Sequence, residues 1–146
     1  MKLVDFQFEH LELFDWRQEE YRLYNVGSDF VRALLSAEEK GECYTAMHDG
    51  RILVIGGIVR QSKKTGYAFT LFSAHADKSP IVAGRLVKRM FSRMMEDMGL
   101  HRVVTYNLVD AWSHHKWCEW LGFKQEGVVL KFDDEGNHYI QYGMVR

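Results

Sequence analysis

One stretch, Tyr67–Met98, constrains the fold of this chain more than any other because it joins a strand, a loop and a long helix. The apolar run at 67–73 is typical of a buried strand. From residue 82 onward, apolar side chains recur every three or four positions, which predicts an amphipathic helix. Ser79 and Pro80 mark its start, since serine caps exposed amides and proline is tolerated in the first turn. A loop that opens onto a helix N-terminus favours an anion, so this loop is the first candidate binding site.

The apolar period changes several times along the rest of the chain, and each change marks a predicted element. Asp49-Gly50 tolerates the positive φ of a tight turn, which predicts a hairpin around it. A long helix between two strands predicts that the strands are parallel and joined by a right-handed crossover. The predicted strands are 2–8, Cys43–Met47, Ile52–Val59, Tyr67–Ser73, His101–Tyr106, Phe123–Phe132 and His138–Val145, and the predicted helices besides the central one are Leu11–Tyr24, Asp29–Lys40 and Asp110–Leu121.

Composition and charge narrow the class of protein. A chain of 146 residues, 47% of them hydrophobic, fits a single domain spanning residues 1–146. The net charge of −1 gives no electrostatic case for binding nucleic acid or an anionic membrane, and no apolar run is long enough to span a bilayer. The two cysteines, Cys43 and Cys118, lie in apolar segments, which indicates reduced thiols in a cytoplasmic protein.

The order of the elements, with Leu121-Gly122-Phe123 between the last helix and the last hairpin, resembles that of the GNAT superfamily of acyl-CoA-dependent N-acyltransferases. The resemblance spans nearly the whole chain and is strongest from Gly50 to Val145. Within the superfamily, the chain looks similar to small GNAT-like proteins of short-tailed phages. The resemblance implies an α+β fold with a twisted mixed sheet of about seven strands and helices on both faces. It also implies acetyl-CoA or another acyl-CoA as cofactor, a small-molecule or protein amine as acceptor, and a cytoplasmic location, in the host cytoplasm or the virion if a phage encodes the chain.

The resemblance assigns the cofactor site to the central stretch. In GNAT enzymes the strand that matches 67–73 pairs its backbone with the pantetheine arm, and the following loop cradles the pyrophosphate with backbone amides. The loop of this chain matches the GNAT loop pattern at Lys78 and Ala83. It departs from the pattern at Ile81, which replaces a glycine, and at Pro80, which lacks a backbone N–H. The implied cofactor-binding residues are Phe72, Ser73, Lys78, Val82, Ala83, Gly84 in a shifted register, Arg85 toward the 3′-phosphate, and Asn107 as the nearest substitute for an asparagine that commonly begins the next helix.

The resemblance points to two candidate catalytic residues. Cys118 stands four residues before Gly122, where many GNAT enzymes carry the tyrosine that protonates the leaving thiolate. A thiol has an unperturbed pKa of about 8.5 and can donate a proton, although a small core residue is the simpler interpretation. His75 is the first choice as general base, because it follows the central strand and because imidazole exchanges protons near neutral pH. The open alternatives are Asp77, Glu42, His101 and Tyr106.

Other patterns indicate structure rather than chemistry. His114 and His115 are adjacent on a predicted helix, and with no third ligand apparent an exposed pair is favoured over a metal site. Three tryptophans in the same helix cannot share one face, so an exposed one would suggest an interface. A second function therefore stays open beside acyl transfer. It is a non-catalytic GNAT-like scaffold that acts as a phage virion, assembly or interaction protein, with a homodimer or an assembly partner.

Overall fold

The computed structural model describes residues 2–17 and 41–146, which form one seven-stranded mixed sheet with two α-helices. The strand order is β1-β2-β3-β4-β5-β7-β6, with β4 and β5 parallel and the other neighbours antiparallel. The predicted mixed sheet is therefore confirmed. The strands are β1 Lys2–Asp5, β2 Gly41–His48, β3 Arg51–Ser62, β4 Thr65–Phe72, β5 Arg102–Leu108, β6 Lys124–Val129 and β7 Tyr139–Val145; the helices are α1 Pro80–Met98 and α2 Trp112–Leu121, with short 3-10 helices at Phe8–Leu11 and Ala74–Lys78.

The tight turn and the helix ends fall where the sequence has residues that tolerate positive φ. Asp49 and Gly50 have φ angles of 52° and 74° and connect β2 to β3, as predicted. Gly99 ends α1 with a φ of 66°, and Gly122 ends α2 with a φ of 101°. Because side chains other than glycine are strained in this region, these positions set where the elements stop.

The sheet packs its two faces against different groups. Side chains alternate along a strand, so Ala68 and Phe72 of β4 face the helices, whereas Phe69 and Leu71 face away from them. Both described α-helices pack on the first face, and α1 contributes more residues to its core than any other single element. No described helix is long and apolar enough to cross a membrane. The buried stripe of α1 consists of Ala83, Leu86, Val87, Met90, Phe91, Met94 and Met95.

The segment after β1 differs from its prediction. The predicted helix Leu11–Tyr24 is wrong over residues 11–17, where a 3-10 helix ends and the chain becomes extended. Trp16 forms an isolated antiparallel bridge with Ser73, and Phe14, 5% exposed, packs on the sheet face away from α1. Pairing with the end of β4 has overridden the helical period here. The remainder of that helix and all of Asp29–Lys40 lie outside the described residues.

Candidate active site

A wedge opens between β4 and β5. The two strands pair over three residues at the start of each, and beyond that point β4 keeps its pairing with β3 and β5 with β7. The amide of Ser73 donates to the Leu53 carbonyl of β3 at 2.9 Å. Because backbone groups alternate in direction along a strand, those of Ala68 and Thr70 point the other way, into the wedge. The wedge therefore presents strand backbone to any chain that enters it.

A narrow cleft with about 60 Å³ of free space occupies the wedge and passes from one face of the sheet to the other. Its lining includes side chains from both faces of β4 and of β5. A cleft of this size admits a slender chain rather than a bulky group. Its helix-side lining includes Phe72, Asn107, His114, Trp117 and Cys118, and its opposite side includes Tyr67, Phe69, Tyr106, Phe132, Asp133 and Tyr139.

On the helix side, Cys118 of α2 lies against Asn107 of β5. Asn107 Nδ2 donates a hydrogen bond to the Cys118 Sγ at 3.0 Å. Burial raises the pKa of the Cys118 thiol to about 11, because an apolar surrounding disfavours the thiolate, and the hydrogen bond from Asn107 opposes this less strongly. The thiol therefore stays protonated at neutral pH. The structure brings together one residue implied as an acid and another implied as cofactor-binding.

The adjacent histidines of α2 are both buried, each 6% exposed, so the predicted exposed pair is wrong. His115 Nε2 donates to the Val109 carbonyl at 3.0 Å, which leaves Nδ1 to accept from the Tyr142 hydroxyl at 2.9 Å. The His115 ring therefore links α2 to the Val109 backbone and to Tyr142 of β7. His114 instead lines the cleft, one helical turn before Cys118. The sequence carried a signal for His114 in that spacing, but sequence reasoning did not use it. Among the described residues, no group of three or more potential metal ligands occurs.

The opposite side of the cleft combines aromatic rings with one carboxylate. Phe132, predicted as strand, lies in the loop between β6 and β7. Its ring stacks on Tyr106 with centroids 4.5 Å apart and meets Tyr139 edge-on at 5.2 Å. Burial alone would raise the pKa of Asp133, but hydrogen bonds from Asn137 and Tyr139 outweigh it and lower the pKa. This side is therefore apolar with one fixed negative charge.

A second pocket, of about 350 Å³, lies at the N-terminus of α1. Trp117 lines both this pocket and the cleft, and its ring stacks on Phe72 of β4 with centroids 4.8 Å apart. The pocket is the outer approach to the helix side of the cleft, and one indole separates the two spaces. Its lining residues are Pro80, Ile81, Ser113, Lys116, Trp117 and Trp120.

No family model and no curated protein matches the sequence. Solved structures nevertheless match over nearly the whole chain. An IAA acetyltransferase from Bacillus cereus ATCC 14579 superposes with a TM-score of 0.73 at 12% identity, covering 99% of each chain. A spermidine N-acetyltransferase from Vibrio cholerae gives 0.73 at 10% identity, covering 99% of this chain and 95% of that one. A GNAT family acetyltransferase from Elizabethkingia anophelis with acetyl-CoA bound gives 0.70 at 11% identity, covering 99% of this chain and 97% of that one. The chain has the GNAT acyl-CoA N-acyltransferase fold.

In this GNAT fold, the loop implied to bind pyrophosphate is the first turn of α1. Ala83 N donates to the Ser79 carbonyl at 3.0 Å, so the amides that point out of the helix end are those of Ile81 and Val82. Pro80 supplies no amide. Ile81 is 64% exposed, so its side chain leans into solvent rather than across the helix end. The turn offers a phosphate two amides and the helix dipole instead of a full glycine cradle.

The other residues implied to bind the cofactor divide into two groups. Lys78 and Arg85 are exposed beside the N-terminus of α1, where a cation can meet a phosphate. Gly84 is buried under α2, and a Cβ there would lie 2.6 Å from the Trp120 ring, so its lack of a side chain serves helix packing. Ser73 is fully buried, and its hydroxyl accepts from the His75 amide at 3.2 Å, so it braces the loop after β4.

His75 does not line the cleft. Its Nε2 lies 3.3 Å from the Asp15 carboxylate, and its Nδ1 lies 3.5 Å from Arg51 Nη1. The structure therefore separates the two residues implied as catalytic, with His75 beside the loop before α1 and Cys118 in the wedge. Of the alternative bases, Tyr106 lines the cleft, whereas Asp77, Glu42 and His101 do not.

Cys118 makes the stability of the fold depend on pH in the alkaline range. Burial raises its pKa to about 11, above that of a thiol in the unfolded chain, so the folded protein holds this proton more tightly. The contribution is complete below pH 9 and is lost as the pH rises toward 11, for a total of about 2–3 kcal/mol. We expect urea titrations at pH 8 to 11 to show the wild type losing more unfolding free energy than Cys118→Ser, whose hydroxyl does not titrate there. Equal losses would contradict a buried, protonated thiol.

Proposed function

We propose that the protein transfers an acyl group from acyl-CoA, with acetyl-CoA as the first donor to test, to the nitrogen of an amine. The observation that carries this proposal is the cleft that crosses the sheet, with the protonated thiol of Cys118 on one side and an apolar space on the other. The solved structures of the same fold include one with acetyl-CoA bound. Because their identities to this chain are only 10–12%, the chemistry is argued from the residues of this chain.

The phosphates of the donor would lie at the N-terminus of α1. The amides of Ile81 and Val82 point outward there, and the helix dipole adds positive potential. Lys78 and Arg85 are exposed nearby, and Lys116 lines the adjoining pocket. The residues present therefore fit an anionic group, even though Pro80 and Ile81 depart from the usual loop.

The pantetheine arm would run from this pocket past Trp117 into the wedge. Backbone groups of Ala68 and Thr70 point toward it and can hydrogen-bond its amides as a neighbouring strand would. The narrowness of the cleft suits a slender arm. This path leads the thioester toward Cys118.

The reaction requires two proton transfers, and we assign them to two side chains on the helix side of the cleft. The amine nitrogen attacks the thioester carbon, the C–S bond breaks, and the sulfur leaves as a thiolate. Cys118 gives its proton to that thiolate, and His114 takes the proton that the nitrogen releases. Since the two side chains are one helical turn apart, His114 can then return a proton to Cys118. The products are the amide and the free CoA thiol.

Calorimetric titration with acetyl-CoA tests the proposal. We expect saturable binding with a Kd between about 1 µM and 1 mM, the usual range of enzyme KM values. Arg85→Ala should weaken binding by about two- to fivefold, because an exposed ion pair contributes less than about 1 kcal/mol. Arg93→Ala is the matched control, because Arg93 lies two turns further along the exposed face of α1 and pairs with Asp97. Absence of heat at high micromolar acetyl-CoA would refute an acyl-CoA enzyme.

A second candidate function rests on exposed apolar side chains near the same region. Trp112 of α2 is 72% exposed and Ile81 is 64% exposed, which is typical of surfaces that meet a partner. The alternative proposal is a non-catalytic interaction role, as in a phage virion or its assembly, in the host cytoplasm. In that case the protein would self-associate or co-purify with a partner. A strict monomer in light scattering, with nothing co-purifying, would count heavily against it.

A further inference from the structure

We infer that the acceptor is a primary ammonium compound with an apolar body and no negative charge. This inference rests on the proposed function and identifies the acceptor side with the half of the cleft away from the helices. The donor half holds Cys118 and His114, so the acceptor reaches the thioester from the opposite face of the sheet. The residues that line that face therefore select the acceptor.

Aromatic rings form a continuous wall on the acceptor side. Phe132 stacks on Tyr106 at a centroid distance of 4.5 Å with 30° between the ring planes. Tyr106 in turn lies 5.8 Å from Tyr67, and Tyr139 meets Phe132 at 5.2 Å with 67° between planes. Faces and edges of four rings thus line one half of the cleft. Ring faces attract cations through their quadrupoles and also pack against apolar chains.

The acceptor side has one permanent charge, and it is negative. Asp133 is the sole carboxylate among the described residues that line the cleft, and no lysine or arginine of the described chain lines it. Its Oδ1 accepts from the Asn137 amide at 2.8 Å, and its Oδ2 accepts from the Tyr139 hydroxyl at 3.0 Å. These bonds fix the carboxylate and use its lone pairs without neutralising its charge. Asp133 therefore attracts a cation held on the rings, without needing a direct hydrogen bond from it.

The same features exclude other acceptors. An amino acid or a sugar phosphate brings a negative group that finds no cation in the described lining and is repelled by Asp133. A primary amine without a carboxylate or phosphate avoids both costs, and its apolar body can extend along the rings.

The proton of the bound ammonium must leave before the nitrogen can attack. Asp133 is a poor acceptor for it, since the hydrogen bonds from Asn137 and Tyr139 favour the charged carboxylate. This first proton is released to solvent water, and His114, which lines the donor half of the same cleft, takes the second proton, which the nitrogen loses as the C–N bond forms. Asp133 thus positions the ammonium, and His114 acts as the base for the attacking amine.

The test compares tyramine, tyrosine and tyrosine amide as acceptors with acetyl-CoA as donor. We expect kcat/KM for tyramine to exceed that for tyrosine by at least about tenfold, with tyrosine amide close to tyramine, since only tyrosine brings an unpaired negative charge. Tyrosine amide shares the branch of tyrosine but lacks its negative charge, so it separates charge from shape. Tyrosine accepted as well as tyramine would overturn the inference.

The variant Asp133→Asn removes the charge and keeps an oxygen that can accept from Asn137. We expect it to lower kcat/KM for tyramine about tenfold or more and to narrow the preference for tyramine over tyrosine. A preference unchanged in a variant of unaltered Tm would contradict the role of Asp133. Phe132→Leu, which removes a ring without changing charge, should weaken tyramine and tyrosine amide alike.

Binding of tyramine without any acyl donor separates this inference from the proposed function. Calorimetry or chemical-shift titration of the whole protein should show tyramine binding that weakens in Asp133→Asn and in Phe132→Leu. If tyramine binds in this way while acetyl-CoA does not, the proposed acyl transfer fails and the ammonium site stands. If acetyl-CoA binds and tyramine does not, the ammonium site fails and the donor site stands.

Discussion

The Cys118→Ala substitution is expected to lower kcat for acyl transfer by a factor of about 10²–10⁴, the usual contribution of a general acid, with little change in KM for acetyl-CoA. The physical reason is that burial keeps this thiol protonated, with a pKa of about 11, and in the proposed reaction its proton neutralises the thiolate that leaves the thioester. Without that proton the leaving sulfur departs as an anion in an apolar cleft. Steady-state kinetics with tyramine and acetyl-CoA measures the effect.

Two controls separate chemistry from packing. Cys118→Ser keeps a donor of similar size, so it should retain more activity than Cys118→Ala at equal stability. Cys43→Ala changes the other cysteine, a half-buried residue of β2 that does not line the cleft, and should leave kcat unchanged. Undiminished turnover in Cys118→Ala, with the fold intact by Tm, would exclude the thiol as the acid and reopen the choice to Tyr106 or a water.

The parts of this fold that were predictable from sequence depend on local signals. Asp49-Gly50 determines a hairpin through its own backbone preferences, and Gly99 stops α1 for the same reason. The long apolar period of α1 requires a sheet face to pack on, which fixes the crossover between β4 and β5. These features involve residues close together in the chain, so a single sequence suffices to find them.

The wedge and its lining were not predictable, because they depend on pairings between distant segments. Nothing in β4 or β5 alone indicates that their pairing stops after three residues. The burial of His114 depends on the neighbours that α2 meets, and its helical position alone is compatible with a surface. Phe132 has a strand-like neighbourhood in sequence, yet the fold places it in a loop against Tyr106. The resemblance to GNAT proteins therefore identifies Cys118 and Asn107 as candidate site residues from the sequence, but only the structure shows that the two side chains are in contact.

The pocket beside the N-terminus of α1 also depends on contacts between distant segments of the chain. Pro80 and Ile81 weaken the anion site at the start of α1, and beside them the tryptophans of α2 create an apolar pocket. Gly84 allows this arrangement, because any side chain there would collide with the Trp117 and Trp120 rings.

Phe72→Ala is expected to destabilise the fold by about 3–5 kcal/mol. Phe72 is 2% exposed, and its ring stacks on Trp117 at 4.8 Å with 15° between the ring planes. Removal of the Phe72 ring leaves a cavity between β4 and α2. It also removes the stacking partner of Trp117, whose indole packs over Gly84. Urea unfolding followed by tryptophan fluorescence gives the free energy of unfolding.

Phe72→Leu is the matched control, because it keeps most of the buried volume and removes only the aromatic ring. We expect a loss of about 1–1.5 kcal/mol for it, since a hydrophobic replacement of similar size is tolerated better than a cavity. A double-mutant cycle with Trp117→Leu should give a coupling of about 0.5–1.5 kcal/mol, the value expected for a stacked pair. If the destabilisations of the two single variants simply add, the stacked rings do not hold α2 against β4. In that case the position of Trp117 between the outer pocket and the cleft depends on its packing against Gly84 and Trp120 alone.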